Sequence, residues 1–288
     1  MTTSWLQLSL KANPAALDTI ANFLIERGSP GVLLKEGEVR AFFPTGHSSV
    51  TLKRDIRRFL NGIGEIYPEV TGQPLRWTIL RDKNWKNSWR RFFTPQRIAK
   101  SILVTPPWHK VEKTEQRKVI EIEPGMAFGT GTHPTTRGCL EFLEEVVRTR
   151  SQCLNALDVG TGSGILAITL AKLGVKSVVA LDIDPVAIKV ATGNVKRNRV
   201  DGRVLLSSSP FERFKTTFQV VVANLTAETI VAMAPQLKRK VARGGVLILS
   251  GILGPKEKEV LAHFPKPFVL LRRKENKGWT TLALSKGT

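Results

Sequence analysis

Residues 156–168 read Ala156-Leu157-Asp158-Val159-Gly160-Thr161-Gly162-Ser163-Gly164-Ile165-Leu166-Ala167-Ile168. A short apolar run ends at Val159, three glycines at alternate positions interrupt it, and a second apolar run follows. The order is buried strand, tight turn, helix. Glycine takes positive φ at little cost and, lacking a side chain, lets a ligand approach the backbone closely. Gly160, Gly162 and Gly164 therefore read as a cradle for a small molecule.

The spacing narrows the ligand. The dinucleotide fingerprint G-x-G-x-x-G would place its third glycine where this chain has Ile165, which disfavours NAD. The next apolar run, Ser177–Leu181, ends at Asp182, 22 residues after Gly160, where a carboxylate can take both ribose hydroxyls of a nucleoside. Asp158 stands just before the turn and can face a cationic group. An adenosine with a positively charged tail satisfies both carboxylates better than a pyrophosphate does, and S-adenosylmethionine is that molecule.

Outward from the cradle, strands are expected at Arg203–Leu206, Phe218–Ala223 and Val246–Ser250, the last led in by Gly244-Gly245. A helix opens at Pro185 and runs over Val186–Arg197. Asn224 follows the fourth strand, at the carboxyl edge where a doubly wound sheet places its chemistry; an Asx turn closing the strand is the alternative. Phe268–Arg272 and Trp279–Leu284 form a terminal hairpin. A parallel sheet closed by an antiparallel strand favours a methyltransferase over a dehydrogenase. Residues 97–288 are thus expected to form an α/β domain, a Rossmann-like doubly wound sheet with an antiparallel terminal hairpin.

Upstream, the run 124–136, Pro-Gly-Met-Ala-Phe-Gly-Thr-Gly-Thr-His-Pro-Thr-Thr, can wrap a ligand with backbone and hydroxyl donors. Thr135 or Thr136 would cap the helix that continues through Leu140, Leu143 and Val147. Residues 1–80 follow the order βαββαβ of a ferredoxin-like α+β domain, with Leu6, Leu8 and Leu10 alternating on a strand and Leu52, Ile56, Phe59 and Leu60 facing inward from a helix. Nothing there looks catalytic, so it reads as a substrate-docking module or a structural appendage. Residues 81–96 form a helical linker in which Trp85 and Trp89 share one face, either as core and interdomain anchor or as a stack for nucleic acid.

At 288 residues with 42% apolar content, the chain has room for two cores. No apolar run approaches the ~18 residues of a membrane span, and Met1-Thr2-Thr3-Ser4-Trp5 lacks a signal pattern. Cys139 and Cys153 form no C-x-x-C and read as reduced thiols, so a cytoplasmic protein is expected. The four histidines are scattered, and no metal site is expected. The net charge of +20 points to polyanions such as rRNA, or to a general surface adaptation.

Several blocks together resemble the bacterial ribosomal-protein methyltransferase family PrmA, which modifies the eleventh protein of the large ribosomal subunit. They are Asp82–Trp89, the EPGMAFGTGTHPTT run ending at Thr136, DVGTGSGILAI from Asp158, LDIDPVAI from Leu181, VVANL from Val221 and LSGIL from Leu249. The resemblance implies the class I S-adenosylmethionine-dependent fold, with cofactor contacts at Thr136, Gly160, Asp182 and Asn224. Phe128, Thr130, Asp158, Gly162 and Gly164 join them as candidate cofactor contacts. It also implies transfer to lysine, or amino-terminal, amines of a large-subunit ribosomal protein by a monomer. Asn224 would aim the amine, Phe128 and Leu225 would wall the mouth, and His133 is a candidate base or a residue that closes the loop. Competing readings are an RNA methyltransferase, a noncatalytic adenosine-binding module, and a related group that methylates lysines of an electron-transfer flavoprotein subunit. That group resembles the catalytic domain only. Against the RNA enzyme, Asn224 is followed by Leu225-Thr226-Ala227 and not by Pro-Pro-aromatic.

Overall fold

The computed structural model describes residues 5–29, 32–35, 37–44, 49–80, 93–111, 117–124, 131, 133–149 and 154–287. Phe128, Thr130, Cys153 and the Trp85/Trp89 pair lie outside the described residues. These fall into two compact units, one running to Thr94 and taking in Pro124, the other made of Pro95–Glu123 and the described residues from Gly131 onward.

The first unit runs β1 (Trp5–Lys11), α1 (Pro14–Glu26), β2 (Val32–Lys35), β3 (Glu38–Pro44), α2 (Ser49–Ile63) and β4 (Arg76–Leu80). Its antiparallel sheet has the order β2-β3-β1-β4, the ferredoxin-like topology. The register pairs Leu6 with Phe43, Leu8 with Ala41 and Leu10 with Val39, so the alternating residues of β1 and β3 share one face. Ile20 and Leu24 of α1 and Leu52, Ile56 and Leu60 of α2 pack in the same cluster. Asn13 starts α1 by accepting from the Ala15 N–H at 2.9 Å, ahead of Pro14 at the first helical position.

The second unit opens with a small sheet of β5 (Gln96–Arg97), β6 (Ile102–Thr105) and β7 (Lys118–Glu121), and then α3 (Pro134–Arg148). There follow β8 (Asn155–Val159), α4 (Ile165–Lys172), β9 (Ser177–Leu181), α5 (Pro185–Arg197), β10 (Val204–Ser207), β11 (Phe218–Asn224) and α6 (Ala227–Lys240). The chain ends with β12 (Val241–Leu253), α7 (Glu257–Ala262), β13 (Phe268–Asn276) and β14 (Trp279–Lys286). The large sheet has the order β10-β9-β8-β11-β12-β14-β13, with β14 antiparallel to both neighbours. Side chains of the central strands alternate between two cores. Ala156, Val220, Val222 and Ile248 pack with α3 and α4, while Leu157, Val221, Ala223 and Leu247 pack with α6.

Two local expectations are corrected. Neither Thr135 nor Thr136 caps α3: His133 does, accepting from the Thr135 N–H, because Pro134 suits the first helical position and carries the threonines inside the helix. Strand β12 begins at Val241, not Val246. Phe218 pairs with Val241 and Val220 with Val246, so Gly244 and Gly245 lie in a bulge within the strand; Gly244 takes φ 67° there.

Candidate functional site

The strand order reverses between β8 and β11, and the crevice outside their carboxyl ends is where an open α/β sheet binds its ligand. The register sets Val159 beside Ala223, so Gly160 and Asn224 leave adjacent strands at the same edge. Three of the loop glycines have positive φ: 72° at Gly160, 54° at Gly162 and 83° at Gly164. A Cβ on Gly160 would come within 2.4 Å of Leu225 Cδ2, so the turn passes directly under Leu225. The N–H groups of Gly160 and Thr161 donate to the Leu181 carbonyl at 2.8 and 2.9 Å, tying the turn to the end of β9.

Both predicted carboxylates meet at this turn. Asp182 accepts from the Gly162 N–H at 2.8 Å through Oδ2 and from the Asp184 N–H at 3.0 Å through Oδ1. A carboxylate oxygen has two acceptor directions, so each retains one for a ribose hydroxyl. Asp158 is fully buried, and its Oδ2 accepts from Thr161 Oγ1 at 2.6 Å and from the Ala167 N–H at 3.1 Å. Its Oδ1 is buried without a hydrogen-bond partner. Burial pushes this carboxyl up to about 7, against the opposing effect of the Thr161 and Ala167 bonds and with a further push from the negative charge of Asp182. The glycine turn is thus bordered by a buried carboxyl group with one unpaired oxygen, to which a cationic ligand group would be complementary.

On the opposite lip, Asn224 is the last residue of β11 and half-buried, and its Nδ2 lies 3.5 Å from Oγ1 of the fully buried Thr136. The Leu225 N–H donates to the Ser250 carbonyl at 3.0 Å, which holds the residue after Asn224 against β12. His133 is buried; its Nδ1 lies 2.7 Å from Thr135 Oγ1 and serves the helix cap. Phe128 and Thr130 lie outside the described residues. Asp158, Gly160, Gly162, Gly164 and Asp182 thus converge on one turn, and Thr136 and Asn224 pair beside it.

Sequence reasoning missed three supports. Asn194, buried on α5, donates to the Ser163 carbonyl at 2.9 Å and accepts from the Glu123 N–H at 3.1 Å. Asn198, one turn on, accepts from the Glu121 N–H at 2.9 Å. Their i, i+4 spacing was the available signal. The third is Gly251, at φ 86°, where a Cβ would lie 2.1 Å from the Leu225 carbonyl oxygen. A glycine inside an otherwise apolar strand signals such a close backbone approach.

A seven-stranded sheet closed by an antiparallel strand, a positive-φ glycine turn and an acidic residue ending the next strand define a class I S-adenosylmethionine-dependent methyltransferase. The chain belongs to the ribosomal protein L11 methyltransferase (PrmA) family, whose model matches residues 4–287. Ribosomal protein L11 methyltransferases are similar along the whole length. That of Geobacter sp. strain M21 is 37% identical over 305 residues, covering 99% of each chain. That of Geobacter sulfurreducens is 38% identical over 302 residues, covering 98% of each. Among solved structures, the ribosomal protein L11 methylase of Lactobacillus delbrueckii subsp. bulgaricus superposes with a TM-score of 0.60 at 30% identity, covering 68% of this chain and 100% of that one.

Asp182→Ala should weaken S-adenosylmethionine binding about 10- to 100-fold, since charge-assisted bonds of this kind are worth ~1.5–3 kcal/mol. Calorimetric titration checks this. An unchanged dissociation constant would place the ribose elsewhere.

Proposed function

We propose that this chain transfers methyl groups from S-adenosylmethionine to lysine or amino-terminal amines of the large-subunit ribosomal protein L11, with residues 1–80 docking the protein substrate. The family match spans both units, which supports L11 over an electron-transfer flavoprotein subunit, whose methylating relatives resemble the catalytic domain only. Among the described residues, no helix is long and apolar enough to cross a membrane.

The cofactor, when bound, supplies a methyl group made electrophilic by the sulfonium. The protein has to present a neutral amine to it. A lysine in water has a pKa near 10.4, so its ammonium must be discouraged, and an apolar lip does this by disfavouring the charged form. Leu225, packed on Gly160, provides that lip. Asn224 then sets direction. With its Nδ2 facing Thr136, its Oδ1 is the acceptor left for an amine N–H, and the nitrogen lone pair is aimed across the turn. The pairing of Asn224 with Thr136 carries this reading.

Asn224→Ala should lower kcat by a larger factor than it raises the cofactor Kd, because orientation matters most in the transition state. Asn224→Asp is the sharper probe. A carboxylate favours the ammonium form, so turnover should fall at neutral pH and partly recover at higher pH. The pH–rate profiles of both variants at saturating cofactor test this. Near wild-type turnover in both would reduce Asn224 to a strand terminator and overturn the assignment.

A further inference from the structure

Helix α2 carries Lys53-Arg54-Asp55-Ile56-Arg57-Arg58, four cations against one carboxylate. That carboxylate is already engaged: Asp55 Oδ2 lies 2.6 Å from Nη1 of Arg27, the residue that caps the end of α1. Leu52, Ile56 and Leu60 bury the inner side of the helix, while Arg54, Arg57, Arg58 and Asn61 are exposed. Spacings of three and four residues put these exposed side chains on one face. Lys53 flanks them, its Nζ 5.4 Å from the ring centroid of Trp77 on β4.

Some exposed arginines elsewhere take carboxylate partners, Arg40 with Glu38, Arg272 with Glu145 and Arg273 with Glu257, while Arg76, Arg199 and Arg243 form no ion pair among the described residues; what sets α2 apart is three exposed arginines within five residues on one helical face. On α2, Arg54 reaches Asp55 only at 3.8 Å, and Arg57 and Arg58 form no ion pair among the described residues. Folding does not explain this arrangement. Like charges at i and i+4, as at Arg54 and Arg58, weaken a helix, and the inner apolar stripe would hold with any polar residue outside. The choice of arginine matters too, because its planar fork matches phosphate oxygens in pairs.

From this we infer that the solvent face of α2, through Arg54, Arg57 and Arg58, binds the phosphate backbone of RNA. Charge complementarity selects the partner: three closely spaced guanidiniums on a chain of net charge +20 match a dense polyanion. The choice of ribosomal RNA as that polyanion rests on the proposed ribosomal-protein substrate. The RNA contact is sequence-independent, since backbone contacts position a protein without reading bases.

The test uses the full chain, a fluorescently labelled fragment of large-subunit rRNA, and anisotropy titrations between about 50 and 200 mM salt. Two triple variants are compared: R54Q/R57Q/R58Q on α2, and K176Q/R243Q/K258Q, which removes the same charge at exposed positions of the other unit. Each lost phosphate contact should reduce the slope of log K against log salt by ~0.7–0.9, so the α2 triple should reduce it by about 2 to 3. Its affinity near physiological salt should drop roughly 10- to 100-fold, with the control triple staying within about threefold. Affinity for S-adenosylmethionine should be unchanged in both, and methylation of the isolated ribosomal protein, measured in parallel, reports on the proposed docking role of residues 1–80 separately from RNA binding. Equal losses in the two triples would make net charge the cause and overturn the inference. So would an α2 triple that binds RNA like wild type, whether or not it fails on the isolated protein; failure there would make α2 a protein-docking face.

Discussion

Asp158→Asn is expected to stabilise the ligand-free protein above pH 7 and, in the same molecule, to weaken S-adenosylmethionine binding about 10- to 100-fold. Both effects come from one buried carboxyl. In the folded chain burial raises it to about 7, whereas in the unfolded chain it titrates near its ordinary 3.8. Between those values the folded state holds a proton that the unfolded state has released, so stability falls as the pH rises from about 4 to about 7 and stays lower above. A shift of that size corresponds to roughly 4 kcal/mol. An amide in its place can still accept from Thr161 and Ala167 but carries no charge. Leaving its NH₂ where Oδ1 has no partner costs ~1–3 kcal/mol, so a net gain of about 1–3 kcal/mol remains at pH 8. At pH 5 the wild-type carboxyl is protonated and the gain should vanish. For the same reason wild-type binding should release a proton and tighten as the pH rises through about 6 to 8, because the cofactor ammonium favours the ionised form. Denaturant unfolding at the two pH values, with calorimetry in buffers of different ionisation enthalpy, measures all of this. A variant that is less stable at pH 8 and binds cofactor normally would remove Asp158 from the ammonium site.

Gly251→Ala should lower turnover more than about 100-fold, the scale set by a misplacement of ~1 Å at the reacting centre. Gly251 stands at φ 86°, which costs an alanine ~1–3 kcal/mol, and its Cβ would sit 2.1 Å from the carbonyl oxygen, 2.8 Å from the carbonyl carbon and 3.1 Å from the nitrogen of Leu225. All three are backbone atoms, so relief requires moving the peptide that follows Asn224. In the proposed mechanism Asn224 is the amine acceptor and Leu225 the apolar lip, so a shift there should cost orientation before it costs cofactor binding. Overpacking adds ~1–3 kcal/mol, for a total destabilisation of roughly 2–6 kcal/mol. Gly138→Ala separates the two losses. Its Cβ would meet Thr281 Oγ1 at 2.2 Å, a clash with a side chain and not with the Leu225 backbone, and should lower stability with a much smaller fall in kcat. Equal kcat in the two variants at a temperature where both are folded would show that Gly251 only stabilises the sheet.

Much of the candidate site is legible in the sequence. Gly160, Gly162, Gly164 and Asp182 announce themselves because a phosphate-free adenosine site needs backbone approach and a carboxylate at set offsets along the chain, and both are properties of one βαβ segment. Asn224 was legible by position, as the first polar residue after Val220-Val221-Val222-Ala223. Its pairing was not: Thr136, which the family resemblance places among the contacts, lies 88 residues earlier and reaches Asn224 only because α3 packs across the sheet. His133 shows the same limit in reverse: the sequence offers it as a base or as a residue that closes the loop, and only the helix start at Pro134 makes it the cap.

Alternation, helical period, glycine spacing and the acidic strand end are local patterns, and they determined the element order, the doubly wound sheet, the βαββαβ unit and the class of ligand. Tertiary structure alone decided that Asp158 is sealed from water with one oxygen unpaired, that Gly251 presses on the Leu225 backbone, and that Asp55 is spent on Arg27 so that the arginines of α2 face solvent uncompensated. The physical reason is common to the three. Desolvation, close packing and charge pairing depend on which distant segments meet, and a local pattern records only the side of an element that turns inward.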